Sequence, residues 1–406
     1  MIKEIEVSEA LKMLLDIPVP LAAEPVPIGE ALGRVAAESV KAVIPLPPFD
    51  RSPFDGYAFR AEDTAGATEG APVTLRVLEE IPAGCTPKEV VKPGQAAKIL
   101  TGAPIPSRAD TVVKFEDTVF TADSVTLFSS AKSGDNIVLA GEDVPTGAEL
   151  LPKGATIEPA AMGLLAAQGL ETVLVYKRPV ISVINTGTEL AELGRPLPPG
   201  MIYNSSMYTL SGYLMRMGAD FRDGGIAPDD EGDIAARVRA ELAVSDMVIT
   251  TGGASVGDYD FAVAAAERAG ADILFWKVKM RPGGSLLAYT IEGKLVLALS
   301  GNPGAAVLGL LLLGFPCIQK RRGLLDTKPD ECTVRLASEI RKSSPRTRII
   351  RGSLEIRDGE AFFVENTGQG GGDISSLVGC DILAEIPAGS PPLAAGTCVK
   401  GYRVFK

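Results

Sequence analysis

The chain has 406 residues, of which 46% are hydrophobic and 22% charged, and its formal net charge is −11. This length and composition predict a globular protein of several domains and exclude a largely disordered chain. The acidic balance argues against nucleic-acid binding, which needs a basic surface to meet phosphates. A small anion can still bind to a helix N-terminus or to a single cation within an acidic protein.

The chain contains no histidine. Catalytic systems of the Ser-His-Asp and Cys-His types are therefore excluded, as is any metal held by histidine. The five cysteines form no CxxC pair, so we expect a reduced cytoplasmic protein without a zinc cluster. The N-terminus lacks the pattern of a signal peptide. The most apolar stretch, residues 303–317, is shorter than the ~20 residues of a membrane span, and we expect it to be a buried helix.

The first part of the chain predicts a β domain inserted into a helical one. Residues 1–45 are mainly helical in pattern, over SEALKMLLDI and GEALGRVAAESV. Residues 46–145 then carry short alternating apolar runs, such as VTLRVLEEI, which are typical of strands. Residues 146–178 return to a helical pattern. Because this piece could pack against the first 45 residues, we predict one split helical domain with residues 46–145 inserted as a β domain.

The second part predicts two further domains. Residues 179–327 alternate strand and helix, from the buried strand PVISVINTG to the apolar helix that begins at Pro303. This alternation predicts a doubly wound α/β domain. Residues 328–406 carry short strands such as CTVRLAS and DILAEIP, which predict a small C-terminal β-barrel-like domain. The expected fold class is therefore multidomain α/β plus β.

Three predicted strands of the α/β domain end in loops of small residues. One contains Thr186 and Gly187, a second contains Gly252 and Gly253 within DMVITTGGASVGDYD, and a third begins at Ser300. Ligands of open α/β sheets bind beyond the carboxyl ends of the strands, and glycines let backbone N–H groups approach a phosphate closely. A single loop of this kind is more often a plain turn. Three of them at one sheet edge favour a phosphate-bearing ligand.

Carboxylates accompany these loops. They are Glu189, Asp229, Asp230, Asp258 and Asp260. Gathered at one edge of the sheet, they could hold Mg²⁺ against a phosphoanhydride. Taken singly, each is more often a helix cap or a solvated charge. Asp258 and Asp260 precede a predicted helix and could simply be its N-caps.

A second dense motif, PLPPFDRSPFDGYAFR, occupies residues 45–60. Its aromatic residues supply packing, and Asp50 and Asp55 supply charge. A proline-stiffened corner between domains explains the motif equally well. Farther along the predicted β domain, LTGAP contains Thr101 and GED ends at Asp143.

Six ordered motifs resemble those of the molybdopterin molybdenumtransferases, the MoeA and gephyrin E-domain family. They are PPFDRSPFDGYAFRAEDT, KILTGAPIPSRADTVVKFED, GEDVPTGAELLPKG, INTGTEL, MVITTGGASVGDYD and SGNPGAAV. The resemblance runs along the whole chain. It implies a split helical domain, an inserted β domain, a molybdopterin-binding α/β domain and a C-terminal β domain. It also implies an elongated homodimer whose active site lies between the α/β domain and the partner's β domain.

The resemblance implies a reaction. The enzyme would place molybdate, or tungstate, on adenylylated molybdopterin, with Mg²⁺-dependent release of AMP, in the biosynthesis of the molybdenum cofactor. A divalent ion offsets the charge of the anhydride as AMP leaves. Carboxylates are the ligands available for that ion in a chain that lacks histidine. A molybdopterin adenylyltransferase is a possible partner.

The resemblance also implies roles for individual residues. Those of the substrate pocket would be Thr186, Gly187, Gly252, Gly253, Ser255, Asn302, Pro303 and Arg281. Those with catalytic roles would be Asp55, Thr101, Asp143, Glu189, Asp229 and Asp260. Glu189, Asp229 and Asp260 would also hold Mg²⁺. Asp55, Thr101 and Asp143 would come from the β domain of the second subunit.

Departures from the family pattern cluster at its oxyanion-binding spot. The family's second lysine, in its K-P-G-K run, is replaced by Gly284 in RPGG, and the serine of its P-G-N-P-V-S run by Ala305. The G-x-Q-x-S pattern is blurred into GQGGG, which ends at Gly372. A tetrahedral dianion needs such charged and hydroxyl donors. Four residues could compensate for their loss: Arg281, Arg346, Arg351 and Ser375.

Two other functions stay open beside metal insertion. A non-catalytic paralogue would bind or carry a molybdopterin nucleotide after losing oxyanion capture. A molybdopterin adenylyltransferase shares the α/β domain, but it normally lacks the β domain that carries PPFDRSPFDGY. A scaffolding role would need a linker or an additional domain, and the sequence shows neither.

Overall fold

The computed structural model describes residues 2–252 and 261–404. The N-terminal segment contains helix α1 (Val7–Asp16) and strands β1 (Ala23–Pro27) and β2 (Val40–Lys41). Helix α1 buries Ala10 and Leu14. The helix predicted over GEALGRVAAESV is wrong, because only the 3₁₀ turn Ile28–Glu30 forms there. Gly33 takes a positive φ of 71°, which stops helical propagation.

The inserted β domain is one six-stranded sheet with the order β6-β3-β5-β4-β8-β7. Its strands are β3 (Gly56–Phe59), β4 (Val73–Ile81), β5 (Gln95–Ile99), β6 (Thr111–Lys114), β7 (Thr118–Phe120) and β8 (Ser124–Leu127). Separate apolar clusters form around Ala58 and around Tyr57, since neighbouring residues of a strand face opposite sides. A side chain at Gly56 would collide with the carbonyl of Val113. The glycine of the PFDGY motif therefore lets β3 and β6 approach.

The chain then returns to the N-terminal segment through β9 (Glu149–Leu151), helix α2 (Pro159–Ala167) and β10 (Thr172–Tyr176). Strand β1 pairs with β10, and β2 pairs with β9. Val26 and Ala36 from the first segment share a core with Leu151, Leu165 and Val175 from the second. The predicted insertion of a β domain between two halves of one unit is therefore confirmed, although strand pairing joins the halves more than helix packing does.

The α/β domain is built on a sheet with the order β14-β11-β15-β19-β18-β16. The strands of this sheet are β11 (Val180–Thr186), β14 (Asp220–Ala227), β15 (Met247–Thr251), β16 (Asp272–Trp276), β18 (Leu287–Ile291) and β19 (Lys294–Leu299). Three short strands of the domain lie outside it: β12 (Leu190–Ala191), β13 (Ile202–Tyr203) and β17 (Met280–Arg281). Strands β14, β11, β15 and β19 are parallel. Strands β18 and β16 are antiparallel and close one side of the sheet.

Helices cover both faces of this sheet, as a doubly wound domain requires. They are α3 (Ser205–Arg216), α4 (Glu231–Leu242), α5 (Phe261–Arg268), α6 (Pro303–Gly309) and α7 (Phe315–Arg321). Helices α1, α3, α6 and α7 contribute to one apolar core. Helices α4 and α5 contribute to the core on the other face. Helix α1 therefore packs with the α/β domain rather than with α2.

Helices α6 and α7 are joined by the π-helical turn Leu310–Gly314 into one helix, Pro303–Arg321. By length and composition this helix could cross a membrane, and among the described residues it is the one candidate. However, 83% of its apolar window is buried inside the protein. The buried helix predicted at residues 303–317 is therefore confirmed.

The C-terminal strands form a barrel. They are β20 (Asp330–Leu336), β21 (Thr347–Arg357), β22 (Glu360–Glu365), β23 (Ile382–Ile386) and β24 (Cys398–Arg403). The order β21-β22-β20-β24-β23 closes because β23 also pairs with β21. Strand β17 of the preceding domain adds in parallel to β21. The predicted β-barrel-like domain is therefore confirmed, and it is hydrogen-bonded to the α/β domain.

Candidate functional site

A cleft of about 520 Å³ opens at the carboxyl ends of the parallel strands. Seven of the sequence-predicted site residues line it: Thr186, Gly187, Glu189, Asp229, Gly252, Asn302 and Pro303. They lie at or just after the ends of β11, β14, β15 and β19, at positions spread from Thr186 to Pro303. The topology therefore brings the predicted loops together at one sheet edge, where open α/β sheets bind their ligands.

Two glycines in the cleft have positive φ angles that favour glycine. Gly252 has a φ of 95°, and a side chain there would collide with the carbonyl oxygen and the hydroxyl of Thr186. Gly187 has a φ of 146°, and a side chain there would collide with the carboxylate of Glu189. Both positions have a backbone conformation that other residues rarely adopt, and at Gly252 the Thr186 backbone also leaves no space for a side chain. The glycines therefore let neighbouring strand ends and a carboxylate crowd together at the cleft floor.

A buried polar network supports the strand ends from below. The Asn185 Nδ2 donates to the Thr251 Oγ1 at 2.5 Å, and the Asn204 Nδ2 donates to the Asn185 Oδ1 at 3.1 Å. The Asn204 Oδ1 accepts from the backbone N of Met207 at 3.3 Å and so caps helix α3. Sequence reasoning missed both asparagines. The signal was present, since Asn185 is a polar residue inside an otherwise apolar strand pattern.

The acidic residues divide into two kinds. Glu189 and Asp229 line the cleft, and the Asp229 Oδ2 accepts from the backbone N of Thr188 at 3.2 Å. Asp230 instead caps helix α4, because its Oδ1 accepts from the backbone N of Gly232 at 2.8 Å and of Asp233 at 2.9 Å. For Asp230 the helix-cap interpretation is therefore correct, and Asp229 is the carboxylate available to a ligand.

Several predicted residues fall outside the described part of the chain. They are Gly253, Ser255, Asp258 and Asp260. Among the residues that the structure describes, no group of three or more acidic or cysteine side chains could hold a metal ion. The pair Glu189 and Asp229 supplies two carboxylates to one cleft, which are donors that Mg²⁺ accepts.

A second pocket of about 490 Å³ adjoins the cleft and shares Ser285, Ser300 and Asn302 with it. Arg281 and Arg346 line this pocket. Predicted site residue Arg281 therefore lies in the adjoining pocket rather than in the cleft itself. Arg346 is paired with Glu4 at 2.9 Å, whereas Arg281 has no ion pair among the described residues. Arg281 beside a serine hydroxyl forms a set of donors suited to an oxyanion.

The positions that depart from the family pattern surround the same pocket. Gly284 and Ala305 line it. A side chain at position 284 would collide with the carbonyl oxygen of Met280 and would lie 2.6 Å from that of Val278. Restoring the family's lysine at this position is therefore sterically excluded on this backbone.

Of the four residues expected to compensate, Arg351 does not. Its side chain is fully buried, and its guanidinium donates to the backbone carbonyls of Gly370 at 2.8 Å and Asp373 at 3.1 Å. A side chain at Gly304 would collide with the Arg351 Nη1. Arg351 therefore holds the glycine-rich loop against helix α6. Ser375 begins the 3₁₀ turn Ser375–Leu377 beyond that loop.

Asp55, Thr101 and Asp143 lie in or beside the inserted β domain. The Asp55 Oδ1 accepts from both the backbone N and the hydroxyl of Thr101. The Thr101 hydrogen bonds hold the pKa of Asp55 below its ordinary value. Asp143 is exposed, and its backbone N donates to Leu46. Among the described residues, these three do not line the cleft of their own chain.

The fold and cleft define a protein with a molybdopterin-binding α/β domain, since residues 182–320 match the family described as "Probable molybdopterin binding domain". Residues 5–169 match the MoeA N-terminal region, domains I and II, and residues 333–403 match the MoeA C-terminal region, domain IV. The chain belongs to the molybdopterin molybdenumtransferase family. The predicted family and the prediction of an enzyme of molybdenum cofactor biosynthesis are confirmed.

Curated relatives carry that name. The chain is 33% identical to the molybdopterin molybdenumtransferase of Staphylococcus aureus strain COL over 97% of this chain and 94% of the relative. It is 36% identical to that of Bacillus subtilis strain 168 over 98% of this chain and 93% of the relative. The crystal structure of the molybdopterin biosynthesis MoeA protein from Pyrococcus horikosii superimposes with a TM-score of 0.86 at 30% identity, with 100% of both chains covered.

Proposed function

We propose that the chain inserts molybdate, or tungstate, into adenylylated molybdopterin with Mg²⁺-dependent release of AMP. One observation carries this proposal: a cleft lined by strand-end glycines and two carboxylates opens directly into a pocket that holds two arginines. A pterin nucleotide and an oxyanion are the two substrates that such a pair of neighbouring sites fits.

The cleft suits the nucleotide. Gly187 and Gly252 line the cleft at the strand ends. Their own N–H groups donate to the carbonyls of Ala227 and Leu299, so these glycines shape the cleft floor and leave the phosphate to other donors. Ser205 and Ser206, in the first turn of helix α3, offer hydroxyls and a helix N-terminus at the same cleft. Asn302 and Pro303 begin helix α6 on the opposite side. The anhydride of the substrate would lie between these helix ends.

Glu189 and Asp229, together with Asp260, would hold the magnesium ion. Bound there, Mg²⁺ offsets the negative charge that grows on the anhydride oxygens as AMP departs. The protein's own contribution is orientation. The backbone N of Thr188 fixes one oxygen of Asp229, and the Glu189 carboxylate lies close to Gly187 in the same cleft.

The adjoining pocket would bind the oxyanion. Arg281 supplies a positive charge and Ser285 supplies a hydroxyl. Arg346 adds a second guanidinium, which is also paired with Glu4 at 2.9 Å. These donors line the same pocket as Gly284 and Ala305, which replace the family's lysine and serine. The working enzyme is therefore favoured over the non-catalytic carrier, which would lack such donors.

We further propose a cytoplasmic homodimer in which the partner's β domain supplies Asp55, Thr101 and Asp143 to the site. Asp55 and Thr101 are in contact on the inserted domain, Asp143 is exposed, and none of the three lines its own cleft among the described residues. Docking with a molybdopterin adenylyltransferase would deliver the adenylylated substrate.

The test is to incubate the pure protein with adenylylated molybdopterin, Mg²⁺ and molybdate or tungstate, and to follow AMP release. We expect AMP in amounts that depend on both Mg²⁺ and the oxyanion. Tight nucleotide binding without AMP release would identify the carrier instead.

A further inference from the structure

A separate cavity of about 210 Å³ lies at the opposite edge of the α/β sheet. Its walls include Val180 at the start of β11, Asp246 just before β15 and Lys294 at the start of β19. It therefore lies at the amino ends of the strands, whereas the candidate active site lies at their carboxyl ends. Pro18, Val19 and Pro20, in the connection after helix α1, form an apolar wall.

Arg321 is the central feature of this cavity. It is the last residue of helix α7 and is only 7% exposed. Its Nη1 donates to the carbonyl of Cys317 at 3.1 Å. Among the described residues, that is its one hydrogen bond, and no carboxylate lies within ion-pair distance of it. A guanidinium has five N–H donors, so four remain for a ligand in the cavity.

A buried arginine without an ion-pair partner is unusual in proteins. The carbonyl end of helix α7 favours a positive charge at this position, but it engages one donor of five. The side chain also lines the open space. The remaining donors therefore face a volume that an anion could fill.

The other charges around the cavity are mainly positive. Lys177, Arg178 and Lys294 line it together with Arg321, against the single carboxylate of Asp246. Asp246 is engaged with the sheet, because its Oδ2 accepts from the backbone N of Val180 at 2.8 Å. The Nζ of Lys294 donates to two backbone carbonyls. The cavity lining thus has four positive side chains and one negative side chain, whereas the whole chain has a net charge of −11.

We propose that this cavity is a binding site for a small phosphate monoester. The dianionic head would accept hydrogen bonds from Arg321, with Arg178 and Lys177 at its rim, because charge-assisted bonds to arginine suit phosphate geometry. The body of the ligand would pack on Pro18, Val19 and Pro20. At 210 Å³, the cavity is smaller than the ~300–1,000 Å³ of common ligand pockets, so the ligand must be compact. The proposal is independent of the chemistry proposed for the cleft.

Calorimetric titration with phenyl phosphate tests this site. We expect saturable 1:1 binding, at least tenfold weaker binding of inorganic phosphate, which lacks the apolar body, and at least tenfold weaker binding of benzoate, which carries one charge. Equal affinity for benzoate and phenyl phosphate would overturn the assignment of a phosphate site. A complete lack of saturable binding would overturn the proposal as a whole.

Variants locate the binding. Arg321→Met should abolish it, and the double variant Lys177→Gln, Arg178→Gln should weaken it about tenfold. The double variant changes two rim residues and keeps the test valid if Arg321→Met does not fold by circular dichroism. Arg357→Gln, at an exposed arginine paired with Glu355, is the matched control and should bind normally. Unchanged affinity in the double variant would contradict the proposal.

Crystals soaked with 4-bromophenyl phosphate distinguish this cavity from the nucleotide cleft. We expect the anomalous signal of bromine beside Pro18, Val19 and Pro20. Bromine found only in the cleft, or nowhere, would overturn the proposal and leave the proposed function untouched.

Discussion

The carboxylate of Asp55 accepts two hydrogen bonds from Thr101, one from the backbone N at 2.6 Å and one from the hydroxyl at 2.7 Å. The two residues are 46 positions apart in the sequence. This contact joins the PFDGY motif to the LTGAP motif. One motif therefore supplies the carboxylate, and the other supplies the two donors that hold it in place.

Removing the Thr101 hydroxyl should raise the pKa of Asp55. The hydroxyl is the largest cause of the lowered pKa, followed by the backbone N of the same residue. Since the folded-state pKa is depressed, the stabilisation from this contact is present above the ordinary value of 3.8 and is lost as pH falls through the lowered pKa. In Thr101→Val, carbon-detected NMR titration should show the Asp55 pKa closer to 3.8.

The control is Thr126→Val, because the Thr126 hydroxyl bonds to the Thr74 hydroxyl, between strands β8 and β4 of the same domain. That variant should leave the Asp55 titration unchanged. A Thr101→Val titration identical to that of the unaltered protein would show that the hydroxyl does not stabilise the carboxylate.

Asp229 and Asp230 form a matched pair for testing the magnesium proposal. Asp229→Asn removes a charge from the cleft, and we expect AMP release to fall ~100-fold or more with a raised Mg²⁺ requirement. Asp230→Asn keeps a good N-cap and should retain activity within about twofold. Steady-state AMP release against Mg²⁺ concentration measures both. Equal effects of the two substitutions would argue against a special role for Asp229.

Gly252→Ala should destabilise the protein and damage the cleft. The alanine would hold an unfavourable positive φ and would press on Thr186. We expect a loss of about 1–3 kcal/mol in the free energy of unfolding, measured by urea denaturation, together with weaker nucleotide binding. Gly29→Ala is the control, because nothing lies within 4 Å of the added carbon. A Gly252→Ala protein as stable as the control would show that the loop adapts without cost.

The two family departures in the oxyanion pocket should respond differently to reversal. Ala305 lines the pocket, so Ala305→Ser adds a hydroxyl donor and should lower the molybdate concentration needed for half-maximal AMP release. Gly284→Lys should instead destabilise the fold, since even its first side-chain carbon meets two backbone carbonyls. A stable Gly284→Lys protein with tighter molybdate binding would show that the turn can rearrange.

The sequence predicted most of the strands. It also predicted that the cleft-lining loops lie together, because parallel strands end at the same edge of their sheet. Thr186, Gly252 and Asn302 could be placed together for that reason alone. The N-terminal helix over GEALGRVAAESV was wrong, because Val35 and Ala36 form bridges with Thr156 and Val175 far along the chain. Tertiary pairing of this kind overrides local helix propensity.

The role of Arg351 shows a different limit. Its charge suggested an oxyanion ligand, yet it is buried against Gly304 and the loop carbonyls. Composition gives the charge of a residue but not the direction of its side chain. In the same way, the sequence alone could not show which of two adjacent aspartates caps helix α4 and which lines the cleft. The structure assigns the cap to Asp230 and the cleft position to Asp229.

The pairing of β17 with β21 has a mechanical consequence. Arg281 ends β17 and is in register with Arg348, while Arg346 immediately precedes β21. Both pocket arginines are thus attached to the same edge of the barrel. The hydrogen bonds between β17 and β21 therefore hold the backbones of these two residues at a fixed spacing, and the ion pair of Arg346 with Glu4 ties the same edge to the N-terminal segment.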